Sequence, residues 1–373
     1  MQLTLHVTNQ CNLWCKYCFV THGSERMSLD VARAAVELCR ISGRRSGVLF
    51  YGGEPLLERE MIIRLVEEIV ANDAVDATAD AVSSASNTTA AKKHEFYYKM
   101  TSNGTLLDED FLRFAQAHDI AYNLSYDGPV HDICRVFPGG KGSAATVEAK
   151  IPMLLAYQPY AVLMSVVEPE TASRAAEMVE DFFARGFRYI TLNLNYGADW
   201  TQRDFDALAR SYEKMARLYV KWTNAEEKFY LSPFDAKIQA HLKGEAYHAD
   251  RRAMTLNQPS VAPDGRIYYG SRGLWDAAYV IGDVFAGINA DRHAEVHKKM
   301  TTPPPECASC AIQHRCNYGG YAEPLPTQCA HEQLITPIAD RVAEKLYRKR
   351  SALFLHKHYN DLYPLMSLIE DKN

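Results

Sequence analysis

The amino-acid sequence predicts an α/β protein built on a partial, TIM-like (β/α)6 barrel, and two observations carry this prediction. Short runs rich in β-branched and aromatic residues recur along residues 1–200, and each is followed by a polar loop and then by apolar residues at helical spacing. Such repeated strand–loop–helix units are typical of parallel sheets. The sixth strand ends by residue 197, which suits a partial barrel, although a doubly wound sheet fits the same alternation.

The elements of the predicted barrel follow one another without long gaps, except in one place. The predicted strands are residues 2–8, 47–55, 96–104, 121–129, 161–169 and 189–197. The predicted helices are residues 28–41 (capped by Ser28), 61–70, 108–119 and 171–185. Residues 71–93 are rich in Ala, Ser, Thr and Asp without apolar periodicity, and we expect a flexible surface insertion there. Ligands of such folds bind beyond the carboxyl ends of the strands, so the polar loops are expected to gather at one mouth.

The pattern of predicted elements changes in the C-terminal part of the chain, and this change divides the sequence into four regions. The barrel is expected to occupy residues 1–222, and a helical linker residues 223–253. Residues 254–335 begin with a hairpin-like segment that turns at Asp264-Gly265 and continue into a cysteine-rich loop. Residues 336–373 are basic and amphipathic, which predicts a C-terminal helix packed on the body of the protein.

Composition excludes several classes of protein. The 373 residues include 47% hydrophobic residues, enough for a substantial core, and Lys and Arg total 41 against 46 Asp and Glu. A net charge of −5 disfavours general nucleic-acid binding. No apolar run reaches the roughly 18 residues of a membrane span, and the N-terminus MQLTLHVTNQCN lacks the features of a signal peptide. We therefore expect a cytoplasmic protein.

The nine cysteines form two groups and two single residues. Three lie at positions 11, 15 and 18, four lie at positions 307, 310, 316 and 329, and the isolated ones are Cys39 and Cys134. Disulfides are rare in the cytoplasm, so grouped cysteines indicate metal or redox chemistry there. Cys39 falls on the apolar face of a predicted helix and is expected to be a core residue. Cys134 follows a strand, and we expect an ordinary thiol, with a catalytic thiol donor as the alternative.

The first group has the spacing C-x3-C-x2-C, formed by Cys11, Cys15 and Cys18 in the segment CNLWCKYC. Three thiolates on a short loop suit a [4Fe–4S] cluster in which one iron has no protein ligand. An open coordination position distinguishes catalytic from structural metal sites. The alternative is a structural zinc site that borrows a distant ligand, with His6 and His22 as candidates.

The second group has the spacing C-x2-C-x5-C-x12-C, formed by Cys307, Cys310, Cys316 and Cys329. Four thiolates in so short a segment are a strong metal signal, and both zinc and [4Fe–4S] fit the count. His314 lies inside the loop and could substitute for one thiolate in a zinc site, although an exposed loop histidine is the simpler interpretation. Spacing alone does not choose between the two metals.

The motifs at the strand ends resemble those of the radical S-adenosylmethionine (radical SAM) family. The matching segments, in the order of the family, are TNQCNLWCKYCF (8–19), YGGEPLL (51–57), TSNGTLL (101–107) and LSYDGP (124–129). The resemblance covers roughly residues 1–200 and implies that the three-cysteine cluster binds the amino and carboxylate groups of SAM through its open iron. One electron would then release a 5′-deoxyadenosyl radical, which abstracts hydrogen from a substrate.

The resemblance also implies which residues bind SAM. Those matching the motif that cradles the SAM amino group are Gly52, Gly53, Glu54 and Pro55, whose glycines allow close approach of the backbone. Tyr17 matches an aromatic position near the adenine. The ribose or carboxylate is expected to meet Asn103, Ser125 and Arg135. For Asn103, as for Asp127, plain turn chemistry explains the residue equally well, since SNG and YDG are turn sequences.

The C-terminal cysteines resemble the SPASM extension of many radical SAM enzymes, which normally carries two auxiliary [4Fe–4S] clusters. This sequence departs from that pattern, because Gly320 stands at the fourth cysteine position and Tyr269-Gly270 replaces the usual Tyr-Cys after the hairpin. Several ligands of the inner auxiliary cluster are therefore missing together, whereas four ligands of the outer one remain. The resemblance predicts two [4Fe–4S] clusters in all, one that binds SAM and one auxiliary.

Enzymes with this extension characteristically modify peptides, which leads to an expected function. We expect hydrogen abstraction from a ribosomally made peptide and formation of a side-chain cross-link, either carbon–carbon (including cyclophanes) or carbon–heteroatom. The alternatives are thioether formation, epimerisation, sulfatase-type oxidation of Ser or Cys, and a non-catalytic, zinc-stabilised binding module. Expected partners are an electron donor of the flavodoxin or ferredoxin type and a separate leader-binding protein, since the chain opens directly on the first strand.

Asn193 and Asn195 lie on one face of the predicted sixth strand. We expect these two side chains either to face the substrate or to form a hydrogen bond with each other.

Overall fold

In the computed structural model, the described part of the chain comprises residues 1–41, 45–83, 95–243, 258–271, 273–302, 304–316, 326–349 and 351–359. The chain divides into two compact units, each assembled from separate stretches. The first unit comprises Met1–Asn12, Cys18–Tyr122 and Thr255–Lys298. The second unit comprises Leu13–Tyr17, Asn123–Met254 and Lys299–Asn373. Among the described helices, none is both long and apolar enough to cross a membrane.

The regular elements are given in chain order. The strands are β1 (Gln2–Thr8), β2 (Trp14–Cys15), β3 (Arg45–Gly52), β4 (Glu95–Ser102), β5 (Ile120–Ser125), β6 (Arg135–Val136), β7 (Val162–Val167), β8 (Tyr189–Leu194), β9 (Tyr230–Ser232), β10 (Ser260–Val261), β11 (Arg266–Tyr268), β12 (Val280–Asp283) and β13 (Gly287–Ile288). The α-helices are α1 (Leu29–Ile41), α2 (Arg59–Ser83), α3 (Glu109–Ala117), α4 (His131–Cys134), α5 (Ala144–Glu148), α6 (Ile151–Tyr157), α7 (Ala175–Ala184), α8 (Gln202–Asn224), α9 (Phe234–Lys243), α10 (Ala290–Thr301), α11 (Pro326–Lys349) and α12 (Ala352–Tyr359).

The sheet of the first unit is parallel around β1 and antiparallel beyond it. β1 pairs in parallel with both β3 and β10, and β4 pairs in parallel with β3. β10 to β13 form an antiparallel meander, in which Gly265 makes the predicted turn with a φ of 89°. Every residue of β1 from Leu3 to Thr8 is buried, as expected for a central strand covered on both faces.

The sheet of the second unit contains the parallel strands β5, β7, β8 and β9 in that order. Along β7 the odd-numbered residues from 163 to 167 are buried, whereas the even-numbered residues from 162 to 166 are half-buried. Because side chains alternate across a strand, one face of this sheet is covered and the other is partly accessible. We call the accessible face the open face of the second unit; it carries Ser125, Met164, Val166 and Asn193.

The predicted insertion at residues 71–93 was wrong in its first part. Helix α2 does not end at residue 70 but continues to Ser83. The segment lacks apolar periodicity, but it is rich in alanine, which has the highest intrinsic helix propensity. The rest of the predicted insertion lies outside the described residues.

Two C-terminal boundaries also differ from the predictions. The region 223–253, expected to be a helical linker, contains strand β9 between α8 and α9. The C-terminal helix, expected from residue 336, begins at Pro326 and ends at Lys349, after which α12 follows. A proline is well suited to the first position of a helix, since the amide it lacks has no intrahelical partner there. Residues 360–373 of the predicted helix lie outside the described residues.

Candidate active site

Two glycines after β3 allow the chain to lie directly against the loop that follows β1. Gly52 has a φ of 136°, and a Cβ there would come within 2.3 Å of the Thr8 carbonyl oxygen. A Cβ on Gly53 would come within 2.0 Å of the Gln10 carbonyl oxygen. Hydrogen bonds of 2.8 Å join the Gly53 amide to Thr8 and the Glu54 amide to Gln10. The glycines are therefore required by the approach of the protein's own backbone, in addition to the expected approach of a ligand.

Glu54 joins the loops after β3 and β4. Its carboxylate is fully buried and accepts hydrogen bonds from the Ser102 hydroxyl at 2.8 Å, the Asn103 amide at 2.8 Å and the Leu56 amide at 3.0 Å. Burial raises the pKa of Glu54 to about 7, and the three donors oppose this rise. Pro55 is buried at the start of a short 3-10 turn, Pro55–Glu58. The Glu54 side chain thus faces protein donors and braces this edge of the sheet.

Asn103 connects the loop after β4 with the first cysteine. Its side-chain nitrogen donates to the Asn12 side-chain oxygen at 2.8 Å and lies 3.8 Å from the Cys11 sulfur. Its side-chain oxygen accepts from the amide and hydroxyl of Thr105 at 3.0 and 2.7 Å, which is the expected turn chemistry. The side-chain nitrogen of Asn12 in turn donates to the Thr105 hydroxyl at 2.8 Å. Sequence reasoning missed Asn12 and Thr105, although both lie inside the quoted motifs.

In the second unit, Asp127 is the centre of a buried hydrogen-bond network. One carboxylate oxygen accepts from the Tyr17 hydroxyl and from Arg135 Nε at 2.8 Å. The other accepts from the Ser165 hydroxyl at 2.9 Å and the Val166 amide at 3.0 Å. Burial acts to raise the pKa of Asp127, but the Arg135 guanidinium and the other donors hold it below its ordinary value. Turn chemistry alone therefore does not account for this residue, whose partners come from three separate segments.

The same network fixes the segment that contains Cys15. Strand β2 pairs with β6 so that Cys15 lies opposite Arg135, whose guanidinium is buried and lies 5.1 Å from the centre of the Tyr17 ring. Tyr17 and Arg135, which are both expected to bind SAM, thus both donate hydrogen bonds to the Asp127 carboxylate. Ser125, also expected there, lies on the open face opposite Met164 of β7.

At the end of the open face, a buried carboxylate follows β7. The Asn195 side-chain amide donates to Glu168 at 2.8 Å, and the Asn195 backbone amide donates to Val167 at 3.1 Å. Burial raises the pKa of Glu168, although the Asn195 hydrogen bond opposes the rise. Asn195 therefore bonds Glu168 and not Asn193, which is exposed on the open face. Sequence reasoning missed Glu168; its only signal was a carboxylate directly after an apolar strand.

The four C-terminal cysteines lie on two short turns and a helix start in the second unit. Cys307 lies in the 3-10 turn Pro305–Ser309, Cys316 follows the turn Gln313–Arg315, and Cys329 is in the first turn of α11. Burial raises the pKa of Cys329, and the nearby Cys307 and Cys310 raise it further. These three thiols therefore lie within electrostatic range of one another. The side chain of His314 and residue Gly320 lie outside the described part of the structure.

A buried lysine links two of these cysteine positions. Lys237 of α9 is fully buried, forms an ion pair with Glu332 and donates to the Arg315 carbonyl oxygen at 3.2 Å. Arg315 precedes Cys316, and Glu332 lies one helical turn beyond Cys329. The Arg315 side chain is itself held by Asp340 of α11, with one nitrogen–oxygen distance of 2.6 Å. The backbone at Cys316 is thus tied to the helix that carries Cys329.

The donor chemistry of both cysteine groups fits iron–sulfur clusters. No disulfide forms among the nine cysteines, all of which the structure describes. Within the described ranges, no three His, Cys, Asp or Glu side chains lie close enough, as they stand, to hold a metal ion. Thiolates are the ordinary ligands of [4Fe–4S] clusters, and the repulsion that raises the pKa of Cys329 would be relieved by a bound cation. The type and the number of the thiolates in each cysteine group are therefore suitable for a [4Fe–4S] cluster.

The isolated cysteines have the properties of unreactive thiols. Burial raises the pKa of Cys39 to about 11 and that of Cys134 to about 12, and a thiol with so high a pKa is a weak nucleophile at neutral pH. His6, considered above as a zinc ligand, is buried in β1 and packs edge-on against Tyr51 with the ring centres 5.2 Å apart. Burial lowers the pKa of His6 to about 3, so its ring is neutral.

Comparison with known proteins gives one family match and several relatives. The model of the Radical SAM superfamily matches residues 5–211. The chain is 28% identical over 194 residues to the uncharacterised protein MJ0907 of Methanocaldococcus jannaschii, which covers 52% of this chain and 62% of that protein. It is 25% identical over 199 residues to a cysteine-type anaerobic sulfatase-maturating enzyme of Clostridium perfringens, which covers 48% of this chain and 47% of that enzyme. The matched region is thus only part of each curated relative.

Solved structures resemble nearly the whole chain. Native anSMEcpe with bound AdoMet and Cp18Cys peptide has a TM-score of 0.71 and 18% identity, covering 94% of this chain and 100% of that chain. SuiB of Streptococcus suis bound to the precursor peptide SuiA has a TM-score of 0.57 and 13% identity, covering 86% of this chain and 72% of that chain. At these identities the likeness shows the fold. It confirms the predicted α/β class, and it reaches beyond the region of the family model.

Proposed function

The chain belongs to the radical SAM superfamily, and on this premise we propose that it cleaves SAM reductively and modifies a ribosomally made peptide. The 5′-deoxyadenosyl radical would remove one hydrogen atom from a C–H bond of the peptide. The resulting carbon radical would form a carbon–carbon or carbon–heteroatom bond with a second side chain, which would lose a proton while one electron passes to the proposed auxiliary cluster. The observation that carries the proposal is the hydrogen-bonded edge of the first unit. There residues 8–12, which include the first cysteine of CNLWCKYC, lie against the GGEP and TSNG loops.

The three N-terminal cysteines have a defined role in this proposal. Cys11, Cys15 and Cys18 would hold a [4Fe–4S] cluster, which when bound would bind SAM at the iron without a protein ligand and supply the electron for cleavage of the carbon–sulfur bond. Asn103 supports this role, because its side chain lies 3.8 Å from the Cys11 sulfur and anchors the cysteine loop through Asn12. In the second unit, Asp127 restrains Tyr17, two residues after Cys15.

The SAM-binding residues are proposed from their motifs and supported by their surroundings. The backbone of Gly52-Gly53-Glu54-Pro55 receives the amino group, and Tyr17 lies near the adenine. Asn103, Ser125 and Arg135 serve the ribose or the carboxylate. For Arg135, only Nε donates to a described residue, Asp127. The terminal nitrogens of its guanidinium therefore make no hydrogen bond within the described ranges, and a carboxylate suits them well.

We propose that Cys307, Cys310, Cys316 and Cys329 hold the auxiliary [4Fe–4S] cluster. The mutual influence of Cys307, Cys310 and Cys329 on the Cys329 pKa supports a shared site, as does the buried link through Lys237. With four protein thiolates, every iron of this cluster is bound by the chain, which suits electron relay or structural support. Zinc is the alternative occupant, because the same four thiolates satisfy its tetrahedral geometry.

The open face of the second unit is the proposed floor of the peptide site. It combines apolar Met164 and Val166 with polar Ser125 and Asn193, a mixture suited to a peptide. The buried carboxylate of Glu168 lies at the end of this face. Solved relatives with bound peptides, anSMEcpe with Cp18Cys and SuiB with SuiA, support a peptide substrate. A separate leader-binding protein and an electron donor of the flavodoxin or ferredoxin type complete the proposed system.

Sulfatase-type oxidation of a Ser or Cys residue is the second candidate, and the likeness to the Clostridium perfringens enzyme favours it. The two outcomes differ in the chemistry of the product. Oxidation leaves an aldehyde that a hydrazide reagent traps, whereas a cross-link leaves no aldehyde and joins two side chains. Tandem mass spectrometry of the treated peptide therefore separates them. Thioether formation and epimerisation remain alternatives that the same spectra, with chiral amino-acid analysis, distinguish.

The proposal is tested by 5′-deoxyadenosine formation from SAM. Anaerobically reconstituted and reduced protein is incubated with SAM, and the product is measured by liquid chromatography. We expect 5′-deoxyadenosine from the wild-type protein and none above background from Cys15→Ala. The matched control is Cys39→Ala, which removes a buried thiol outside both groups and should retain the activity. Equal amounts of 5′-deoxyadenosine from the wild-type protein and Cys15→Ala would refute the proposal. This result would favour the alternative, a non-catalytic, zinc-stabilised binding module.

A further inference from the structure

Ser143 precedes helix α5 but does not cap it with its side chain. A serine at this position normally accepts a hydrogen bond from an amide of the first helical turn. Among the described residues of α5, none donates such a bond to the Ser143 side chain. The hydroxyl is instead buried and donates to the backbone carbonyl oxygen of Arg135 at 2.8 Å. Ser143 therefore contacts a residue of the proposed SAM site in place of its own helix.

His131 links Ser143 to the backbone of Asp127. The Asp127 amide donates to His131 Nδ1 at 3.2 Å, so this nitrogen is the one without a proton. The proton of the neutral ring is therefore on Nε2, which donates to the Ser143 hydroxyl at 2.9 Å. Burial lowers the pKa of His131 to about 4, and the nearby Arg135 guanidinium acts in the same direction. The ring is thus neutral near pH 7.

These hydrogen bonds form a closed ring with the ion pair between Asp127 and Arg135. The donors lead from the Asp127 amide through the imidazole and the hydroxyl to the carbonyl oxygen of Arg135. Arg135 Nε then returns to the Asp127 carboxylate at 2.8 Å. All four residues of the ring are buried. Because Arg135 lies opposite Cys15 across β2 and β6, the ring also holds the guanidinium next to the segment of this cysteine.

Two further contacts fix the segment that presents Ser143. Asp132, which follows His131 in helix α4, accepts a hydrogen bond from the Ala144 amide at 2.7 Å. A Cβ at Gly142 would come within 2.2 Å of the Asp132 carboxyl carbon, so a side chain there would displace Asp132. Asp132 thus contacts both neighbours of Ser143. The position of the Ser143 hydroxyl is therefore fixed from both sides.

We propose that His131 and Ser143 are positioning residues that orient the Arg135 guanidinium toward the carboxylate of SAM. This inference rests on the proposed function, in which the terminal nitrogens of Arg135 bind that carboxylate. Two parallel hydrogen bonds between a guanidinium and a carboxylate require a defined orientation of the guanidinium plane. Asp127 holds Nε, and Ser143 holds the carbonyl oxygen, so Arg135 is fixed at both ends before SAM binds. Removal of the hydroxyl should therefore weaken recognition of the carboxylate alone.

The first test compares the affinities of SAM and of decarboxylated SAM, which lacks only the carboxylate. Binding is measured by equilibrium dialysis on reconstituted protein without a reductant, so that SAM is not cleaved. Ser143→Ala should bind SAM at least about fivefold more weakly than the wild type and should bind decarboxylated SAM equally well. His131→Phe should behave in the same way. It removes both nitrogens but keeps a ring at this position, whose centre lies 5.1 Å from that of Tyr126.

Ser211→Ala is the matched control for this test. The Ser211 hydroxyl is also buried and donates to the Ala172 carbonyl oxygen at the same distance of 2.8 Å, but it lies outside the ring. This variant should change neither affinity, and thermal unfolding confirms that each variant is folded. Wild-type affinity for SAM in Ser143→Ala or His131→Phe would overturn the inference. An equal loss for both ligands would also overturn it, because such a loss indicates a structural role alone.

The second test determines whether Ser143 acts through Arg135. Arg135→Lys keeps a positive charge beside Asp127 but lacks the planar pair of terminal nitrogens, so its affinity for SAM should fall at least about tenfold. Adding Ser143→Ala to this variant should change the affinity by less than about twofold, since the guanidinium that the hydroxyl positions is already absent. Wild-type affinity of Arg135→Lys for SAM, or a larger additional loss in the double variant, would contradict the positioning role.

Failure of this inference is distinguishable from failure of the proposed function. A protein that forms 5′-deoxyadenosine, but whose His131 and Ser143 variants bind SAM like the wild type, keeps the proposed chemistry and lacks the positioning role. A protein whose variants lose affinity for SAM but not for decarboxylated SAM, and which forms no 5′-deoxyadenosine, has the positioned SAM site and lacks the chemistry.

Discussion

The two cysteine-rich segments of this protein are held in different ways. Around the N-terminal group the supports are hydrogen bonds from strand ends: Asn103 reaches Cys11, and Asp127 holds Tyr17 beside Cys15. Around the C-terminal group the supports are buried charges between helices, with Lys237 joining Glu332 to the carbonyl before Cys316. The first arrangement suits a site that must admit a ligand. The second suits a closed site whose geometry is fixed by the fold.

The largest expected contrast comes from removing one cysteine of each group. Cys15→Ala and Cys316→Ala should each lower the iron content of the reconstituted protein by about one [4Fe–4S] cluster. We expect SAM cleavage to be lost only in Cys15→Ala, because in the proposed arrangement only the N-terminal cluster would leave one iron open to SAM. Iron analysis and 5′-deoxyadenosine formation are measured on the same samples. Loss of SAM cleavage in both variants would remove the distinction between a catalytic and an auxiliary site.

Asp127→Asn tests the support of the N-terminal group. The amide presents hydrogen-bond donors to groups that themselves donate, and it leaves the buried Arg135 without its counterion. Breaking a buried ion pair in this way costs about 3–5 kcal/mol, and we expect SAM cleavage to fall at least about tenfold as the Tyr17 segment loses its anchor. Urea unfolding and product assays check both effects. The control is Asp30→Asn, an exposed pair with Arg33, which should change neither quantity measurably.

Lys237→Met tests the support of the C-terminal group against a matched variant. It removes the lysine counter-ion of the buried Glu332, with an expected loss of about 3–5 kcal/mol in the free energy of unfolding. Lys357→Met does the same to Asp235, which is equally buried but pairs with α12, outside the cysteine segment. We expect similar destabilisation in both variants and loss of auxiliary iron only in Lys237→Met. Equal iron content in the two variants would show that Lys237 is structural alone.

Glu54 provides the smallest expected effect, on the pH dependence of stability. Its pKa is raised from 4.5 to about 7 by burial, so between these values the native state keeps a proton that the unfolded chain has lost. The free energy of unfolding should therefore fall as pH rises from 5 to 8, by up to about 3 kcal/mol from this residue. Glu54→Gln should flatten this dependence in urea unfolding, whereas the exposed control Glu60→Gln should not. An unchanged pH dependence in Glu54→Gln would show that the carboxylate stays ionised.

Much of this arrangement could be predicted from the sequence, because it depends on local patterns. Alternation and loop composition indicated β1, β3, β4, β5, β7 and β8, and Ser28 caps the first helix as expected, accepting from Val31 at 3.2 Å. Parallel strands bring their carboxyl ends to one edge, so the proximity of GGEP and TSNG in the first unit followed from the fold class.

The remaining features depend on contacts between distant residues, which leave no local pattern. The partners of Asp127 come from positions 17, 135 and 165–166, and no spacing indicates that they meet. The burial of Lys237 beside Glu332 is equally invisible in a single sequence. The helical continuation of α2 was missed for a different reason, since alanine favours a helix without marking a buried face.

The central claim is that the chain holds one open and one closed [4Fe–4S] cluster, and metal analysis tests it most directly. Iron and acid-labile sulfide are determined on anaerobically purified and reconstituted protein, together with zinc. We expect about eight irons and eight sulfides per chain and no stoichiometric zinc. About four irons per chain, with zinc in the C-terminal site or with no second metal, would contradict the claim.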